Sequence, residues 1–347
     1  MSSNNFTNQL LDWFVNNGRK YLPWQLKKSP YSVWISEIML QQTQVKTVIP
    51  YYINFMKRFP NIESIAKCEL DELLSYWSGL GYYARGRNIY KTAKILDKKY
   101  QSIFPKTYDE IIKLPGIGRS TAGAILALAY KKKYSILDGN VKRVLARYYR
   151  IEGFLQKSNI QEKLWNLADL NTPSSNVDQY TQAIMDLGAT VCTRSRPKCF
   201  ICPLSENCLA RFYSEQDKLP TRKPRTKKSI REVGVMIIVD NKKSVLLEKR
   251  PNNGIWGGLY SFPELGDGQT INSWLDDNLR EPVEKITRLN PIKHSFTHFN
   301  LLINPTKIKI ENKPKKYRIK PRYFWHKLPI DREIGLAAPI SVMINEL

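Results

Sequence analysis

Four cysteines, Cys192, Cys199, Cys202 and Cys208, form a C-x6-C-x2-C-x5-C array that uses four of the five cysteines in the chain. Thiolates at such spacing hold a metal centre, and a four-cysteine set suits either zinc or an iron–sulfur cluster. All three histidines lie beyond residue 293, so such a centre would be all-thiolate. Two carboxylates also invite chemistry. Glu37 sits in an otherwise apolar helical stretch beside Trp34, Ile38, Met39 and Leu40. If that stretch is buried, the charged carboxylate is disfavoured and its pKa rises, so the group holds a proton near neutral pH and can give it away. Asp138 opens the run Asp-Gly-Asn-Val-Lys-Arg. There it is a natural helix N-cap, and the helix dipole favours its ionised form.

The elements that must position these groups follow from composition and periodicity. At 347 residues the chain is long enough for two ordinary domains. It carries 55 Lys+Arg against 31 Asp+Glu, a net charge of +24, together with eight Trp and nineteen Tyr. That balance favours a polyanionic partner, nucleic acid first and an anionic membrane surface second. No apolar stretch is long enough to span a bilayer. The opening residues MSSNNFTNQLLDWF lack the charged-then-apolar pattern of a secretory signal. The single remaining cysteine, Cys68, argues against a secreted disulfide framework. A cytoplasmic protein with no membrane partner is expected.

From about residue 6 to 213 the pattern is helical, with apolar residues at threes and fours in segments such as 64–77, 84–96 and 141–150. Residues 214–230 read as a basic linker; seven Lys/Arg lie between residues 218 and 231, and its prolines suit an extended, solvated connection that also fits a phosphate backbone. Beyond it the helical period is lost. Residues 232–240 read as a buried strand and 244–249 as a second strand after the turn Asn241-Lys242-Lys243. Residues 295–303 and 322–326 are strand-like, and 270–280 is helical with Thr270 as N-cap. The lysine-rich run 307–322 reads as an exposed loop or strand edge. The expectation is a multi-domain chain: an all-α domain over 1–213 and an α+β domain over 231–347.

Thr107-Tyr108-Asp109-Glu110 has the pattern of a capping box opening a helix. Leu114-Pro115-Gly116-Ile117-Gly118 stops that helix, and a second runs over 119–130. Gly116 and Gly118 permit a tight hairpin and let the backbone approach a ligand. The N–H groups ahead of the second helix could hold a phosphate without reading sequence. This is the helix-hairpin-helix pattern of DNA-binding proteins, although an ordinary turn between helices reads the same in isolation.

Taken together, LPGIGRSTAGAIL, Leu137-Asp138-Gly139-Asn140-Val141 and the cysteine array resemble the helix-hairpin-helix DNA glycosylases that carry a [4Fe–4S] cluster, the endonuclease III superfamily. Within it, VWISEIMLQQTQV at 33–45 and GLGYYAR at 79–85 resemble the adenine DNA glycosylases. The similarity covers nearly all of residues 6–213 and continues more loosely beyond. It implies a [4Fe–4S] cluster on the four cysteines, with Arg194, Arg196 and Lys198 presented to phosphate. It implies that Glu37 protonates N7 of a flipped adenine and then guides the water. Asp138, oriented by Asn140, would stabilise the oxocarbenium-like sugar, directly or through a covalent adduct. An acid and an anion with split pKa values are the general solution for glycosidic cleavage. Ser120 stands where the bifunctional glycosylase/lyases of the superfamily place a lysine that forms a Schiff base. A monofunctional enzyme that leaves an abasic site is therefore expected, with Lys142 or Lys20 as sources of weak strand nicking. Gln42 and Tyr82 match the wedge residues inserted beside the orphan base, and Thr43, Leu80 and Trp24 match residues around that pocket. For Tyr82 and Trp24, core packing explains the residue type equally well.

In the second domain, GIWGGLYSFP at 254–263 resembles a Nudix-type domain. Setting Gly266 as the start of the box G-x5-E-x7-R-E-U-x-E-E-x-G-U places Arg280, Glu281 and Glu284 correctly but fails at Asn272, Pro282, Lys285 and Thr287. The domain therefore reads as a recogniser, not a pyrophosphatase. Its candidate contact is Phe296-Thr297-His298, where the resembling proteins usually have Phe-Ser-His in a loop that reads 8-oxoguanine; one face of a β-strand is the competing reading. The expected substrate is duplex DNA with adenine opposite 8-oxoguanine, or more weakly guanine, bound by a monomer. A thymine- or uracil-removing mismatch glycosylase and a non-catalytic lesion binder or redox sensor are the alternatives. The second domain weighs against the first of these, and Glu37 with Asp138 against the second.

Overall fold

The computed structural model describes residues 3–222, 224, 227–266, 268–314, 320–330 and 334–347. Lys223 and Arg225 of the basic linker and residues 315–319 of the lysine-rich run lie outside the described residues. The chain divides into two compact units, Met1–Ala66 with Asn88–Arg225, and Lys67–Arg87 with Thr226–Leu347.

In chain order the helices up to residue 213 are α1 (Ser3–Asn17), α2 (Pro23–Leu26), α3 (Pro30–Leu40), α4 (Val45–Arg58), α5 (Ile62–Lys67), α6 (Leu70–Trp77) and α7 (Ala84–Tyr100). They continue with α8 (Tyr108–Ile111), α9 (Arg119–Tyr130), α10 (Gly139–Tyr148), α11 (Ser158–Asn171), α12 (Val177–Thr190) and α13 (Leu209–Phe212). The predicted second helix of the hairpin is α9. The segment 64–77, predicted as one helix, is divided between α5 and α6. Helix α8 is a single turn, and no Thr107 side-chain bond caps it. The Thr107 hydroxyl instead bonds the Glu110 carboxylate, so the capping box expected there is not formed.

In the first unit α3 is buried nearly all round and packs on α9 and α4. Its start is well specified: Ser29 accepts from the Ser32 amide, Ser32 returns the bond to the Ser29 amide, and Pro30 opens the helix. Helix α10 packs on α11, α12 and α13, and α1 packs on α12. Asp186 of α12 is fully buried and takes the Arg19 amide at 2.8 Å, its Nε at 2.9 Å and its Nη2 at 2.6 Å. Removing either partner would strand a buried charge, a loss of about 3–5 kcal/mol.

Among the described residues, the second unit is a seven-stranded mixed sheet with helices. Its strands are β1 (Ser229–Asp240), β2 (Ser244–Lys249), β3 (Tyr260–Ser261), β4 (Val283–Arg288), β5 (Ile292–Ser295), β6 (Phe299–Ile310) and β7 (Tyr323–Lys327). The order is β3-β2-β1-β6-β4, with β7 also on β2 and β5 also on β6. Strands β1 and β6 run parallel over their full lengths, and the other pairs are antiparallel. Helix α14 (Ile271–Asn278) lies between β3 and β4 in the chain and α15 (Ala338–Asn345) follows β7; Thr270 caps α14 through the Ser273 amide, as its sequence suggests. Trp274 and Leu275 of α14 pack on Met236, Ile238, Leu246 and Ile308 of the sheet.

Two expectations are corrected here. Lys307–Ile310 is not an edge, because that part of β6 pairs with β1 on one side and β4 on the other. Its lysines alternate with Ile308 and Ile310, which are fully buried. The trial Nudix register does not lie on one helix either: α14 ends at Asn278, Arg280 has φ 54°, and Glu284 sits on β4, ion-paired to Lys309 at 2.8 Å. Segment 67–87, helical in pattern, hydrogen-bonds to this sheet unit. Asp71 accepts from Lys249 at 2.6 Å, and Arg87 donates to the Gly257 carbonyl at 2.6 Å. Among the described residues, no helix is long and apolar enough to cross a membrane.

Candidate active site

Glu37 lies on the last turn and a half of α3, the one partly accessible residue between buried Trp34 and Met39. Although the residue is partly accessible, its carboxyl is deep enough that burial raises its pKa from 4.5 to about 8. The second cause is the charge of Asp138, so the two carboxylates, far apart in sequence, lie within electrostatic reach of one another. Asp138 is the N-cap of α10. Its Oδ1 accepts from the Asn140 amide at 3.0 Å and the Val141 amide at 2.8 Å, and its Oδ2 from Asn140 Nδ2 at 3.2 Å. Burial nevertheless raises its pKa, outweighing these bonds and the nearby Arg143. The lowering expected from the helix N-terminus alone is therefore not the net result. The order of ionisation still separates the pair. Asp138 is surrounded by donors that stabilise its anion, whereas Glu37 feels burial and a neighbouring negative charge, so Asp138 loses its proton first.

Ser120 lies in the first turn of α9, and its Oγ accepts from the Leu137 amide at 3.0 Å. It thereby tethers the strand of chain that delivers Asp138. Lys142, one turn into α10, senses Asp138, but burial is the larger effect and lowers its pKa. Arg143 is the residue that sequence reasoning missed. Its Nη2 donates to Asn140 Oδ1 at 2.8 Å and to the Gly188 carbonyl at 2.5 Å, and its Nε to the Cys192 carbonyl at 2.7 Å. The available signal was its position three residues after Asn140 on one helix face.

At the hairpin, Gly116 has φ 79°, and a Cβ there would meet the Asn88 side chain at 2.7 Å, so the turn itself requires glycine. Gly118 is different: φ is −92° and a Cβ would meet nothing within 4 Å. Its missing side chain leaves open space before α9, whose first amides have no side-chain cap. That is the geometry of an anion site.

The expected wedge residues separate by burial. Gln42 is exposed with φ 57°, and Tyr82 is 48% exposed with φ 49°. Left-handed backbone at non-glycine residues is costly and concentrates at functional sites. Arg85, buried, holds the loop before Tyr82 by donating to the carbonyls of Leu80 at 3.2 Å and Gly81 at 3.1 Å. Leu80 is buried and Thr43 partly so. Trp24 is only 6% exposed and packs edge-on against Tyr52, a core position. In the second unit Phe296-Thr297-His298 forms the turn between β5 and β6, not a strand face, and Thr297 and His298 are exposed. Thr297 Oγ1 lies 3.5 Å from the Tyr82 hydroxyl.

The four cysteines of the array are free thiols on one stretch of chain. No three of them, nor any other three His, Cys, Asp or Glu side chains among the described residues, are grouped as a metal ion would hold them. They are nonetheless within electrostatic reach of one another, as Cys192 acts on Cys199, Cys202 and Cys208. Backbone amides bond the sulfurs of Cys202 and Cys208, and Arg147 Nη1 lies 3.3 Å from Cys192 Sγ. Thiols with amide or guanidinium donors on Cys192, Cys202 and Cys208 are the chemistry that an anionic iron–sulfur group needs, although the sulfurs are not gathered around a common point. Arg194, Arg196 and Lys198 are exposed on the loop between the first two cysteines.

Residues 35–169 match the HhH-GPD superfamily base excision DNA repair protein family, and residues 234–346 match the NUDIX domain. The adenine DNA glycosylase of Buchnera aphidicola subsp. Baizongia pistaciae (strain Bp) is 45% identical over 342 residues, 99% of this chain and 96% of that one. The adenine DNA glycosylase of Homo sapiens is 30% identical over 381 residues, covering 92% of this chain and 70% of the human one. Among solved structures, a thermostable thymine-DNA glycosylase superposes with a TM-score of 0.56 at 26% identity, covering 61% of this chain and 97% of its own. A non-covalent endonuclease III–DNA complex shares the fold, with a TM-score of 0.52 at 22% identity over 63% of this chain and 98% of that one. The chain belongs to the HhH-GPD superfamily of base excision DNA repair proteins and, within it, to the adenine DNA glycosylase family.

Proposed function

We propose that this protein is a monofunctional adenine DNA glycosylase of base excision repair, acting as a monomer on duplex DNA with adenine opposite 8-oxoguanine, or more weakly guanine, and leaving an intact abasic site. The observation that carries the reading is the buried pair Glu37 and Asp138: burial raises the Glu37 pKa to about 8, while the Asn140 and Val141 amides bond the Asp138 carboxylate. Glu37 donates its proton to N7 of the flipped adenine, which makes the base a better leaving group. Asp138, aimed by Asn140, faces the cation that develops on the sugar. The deprotonated Glu37 then orients water. The amides ahead of α9 and the basic residues Arg194, Arg196 and Lys198 hold phosphate. Gln42 and Tyr82 fill the gap left by the flipped base, and the turn Phe296–His298 reads the base opposite. A [4Fe–4S] cluster on Cys192, Cys199, Cys202 and Cys208 would brace the loop that carries the basic residues.

Ser120 supports the monofunctional reading, since a hydroxyl cannot form the Schiff base that a lysine amine would. Lys142, whose pKa burial lowers although Asp138 acts to raise it, or Lys20 is the residue from which slow nicking would come. A single-turnover assay on a duplex with one adenine opposite 8-oxoguanine tests the reading. Strands should break only after alkali. Breakage without alkali at the rate of base loss would sink the monofunctional reading; a T:G or U:G duplex processed in preference to adenine would sink the substrate. For the cluster, the purified protein should be brown, with broad visible absorbance, iron and acid-labile sulfide. A colourless protein with stoichiometric zinc would overturn it.

A further inference from the structure

The turn Phe296–His298, with Thr297 and His298 exposed, is tied down by the ends of two strands, by Lys228 Nζ on the Phe296 carbonyl at 2.5 Å and by the Tyr82 hydroxyl 3.5 Å from Thr297 Oγ1. The last Cα pair is Ser295 with Asn300, and Phe296 N donates to the Phe299 carbonyl at 2.9 Å. Those bonds hold its rim, whereas the Phe296 ring is held by packing. The structure supplies a column of rings. Phe299 stacks on Phe296 at 4.7 Å and 21°, and the Arg231 guanidinium lies 4.5 Å from the Phe299 ring. His294 meets Phe296 edge-on at 4.7 Å. Trp256 closes the column, 6.0 Å from both His294 and Phe296.

Trp256 is the fixed end. It is 7% exposed, and its backbone is left-handed with φ 54°. Its loop is closed by Gly258 N to the Pro251 carbonyl at 3.0 Å and Leu259 N to the Trp256 carbonyl at 3.0 Å. A tryptophan kept in strained backbone inside a tightly bonded loop is a rigid platform, and the turn leans on it. We propose that Trp256 is a positioning residue for discrimination: it sets where the Thr297 hydroxyl and His298 stand, and so how strongly 8-oxoguanine is preferred over guanine opposite the adenine. The inference rests on the proposed role of the turn. Guanine and 8-oxoguanine differ at N7 and C8, a difference of one or two hydrogen bonds, and such bonds discriminate only when donor and acceptor are held to within about 0.5 Å. Base removal itself is the work of Glu37 and Asp138, so Trp256 should alter the preference and not the chemistry.

Single-turnover rates on A:8-oxoguanine and A:G duplexes, measured for Trp256→Ala, Trp256→Phe, Phe299→Leu and Thr297→Ala, test this. Trp256→Ala should lower the ratio of the two rates about tenfold, the worth of one hydrogen bond, while the A:G rate is unchanged. Trp256→Phe should restore most of the ratio, and Phe299→Leu should lower it less than Trp256→Ala does. If Thr297→Ala lowers the ratio but Trp256→Ala and Phe299→Leu do not, the positioning role is wrong and the reading of the turn stands. If Thr297→Ala leaves the ratio unchanged as well, the turn is not the reader and both fall. An equal drop on both duplexes in Trp256→Ala, not relieved in Trp256→Phe, marks general damage and also overturns the inference. Should Trp256→Ala fail to fold, Phe299→Leu and Trp256→Phe decide the matter.

Discussion

Glu37→Gln is expected to abolish adenine release while leaving binding to an A:8-oxoguanine duplex within a small factor of wild type. The glutamine keeps the shape and can hydrogen-bond the base, but it has no proton of suitable acidity to donate. General acid catalysis contributes about 10²–10⁴-fold, so single-turnover excision should fall at least that far. An equally inactive wild type and variant, both binding DNA, would favour the non-catalytic lesion binder instead. The wild-type pH profile is part of the same prediction. Glu37 must be protonated to act, and burial holds its pKa at about 8. Excision at subsaturating protein should be level as pH approaches 8 from below, then fall by about tenfold per unit above it. A profile already falling at pH 5 would show that the acid is an ordinary exposed carboxylate.

The same burial costs stability, and its sign can be fixed. Between the ordinary 4.5 of an unfolded glutamate and the folded value of about 8, the folded protein holds a proton that the unfolded chain has released. Stability from this group is therefore fully present below pH 4.5 and is lost as pH rises through 8. Glutamine does not titrate, so Glu37→Gln should gain on wild type as pH rises, by an amount on the order of a few kcal/mol. Urea denaturation of both proteins at pH 6 and pH 9 measures the change.

Asp138→Asn and Asp138→Ala should separate two roles of one side chain. Asparagine caps helices as well as aspartate does, so it can keep the bonds to the Asn140 and Val141 amides and leave α10 intact. What it loses is the anion facing the sugar. Excision should fall about 10²–10³-fold, as when a preorganised charge partner is removed, with little change in denaturant midpoint. Asp138→Ala should lose a similar factor in rate and also about 1 kcal/mol of stability for the missing cap. If Asp138→Asn excises adenine at the wild-type rate, Asp138 is a cap alone and the split-carboxylate mechanism fails.

Much of this was legible in the residues, and the legible parts share a cause. The span of α9, the cap at Thr270, the strand Ser244–Lys249 and the placing of Glu37 in an apolar helix depend on neighbours within a few positions, where periodicity and capping act. The array of four cysteines is likewise a local pattern. The errors came where the deciding partner is distant. The run from Lys307 looked like a protected edge because lysines protect edges, but a strand cannot announce from its own residues how many neighbours it will have. The capping box at Thr107 is the exception, a local failure: its hydroxyl bonds the Glu110 carboxylate three residues on and leaves the backbone uncapped. Burial at Asp138 outweighed the dipole, and burial is a sum over the whole surrounding fold.

By itself the sequence determined the helical and mixed halves, the hairpin with its two glycines, the thiol array and the two carboxylates that could share a reaction. Only the tertiary structure decided that Glu37 and Asp138 lie within reach of one another, that Arg143 joins Asn140 to the backbone of Cys192, and that residues 67–87 bond to the sheet unit. It alone set the turn at Phe296 against Trp256. Local conformation is written in short-range sterics and hydrogen bonding, whereas electrostatic coupling, desolvation and ring packing depend on which distant segments the hydrophobic core brings together.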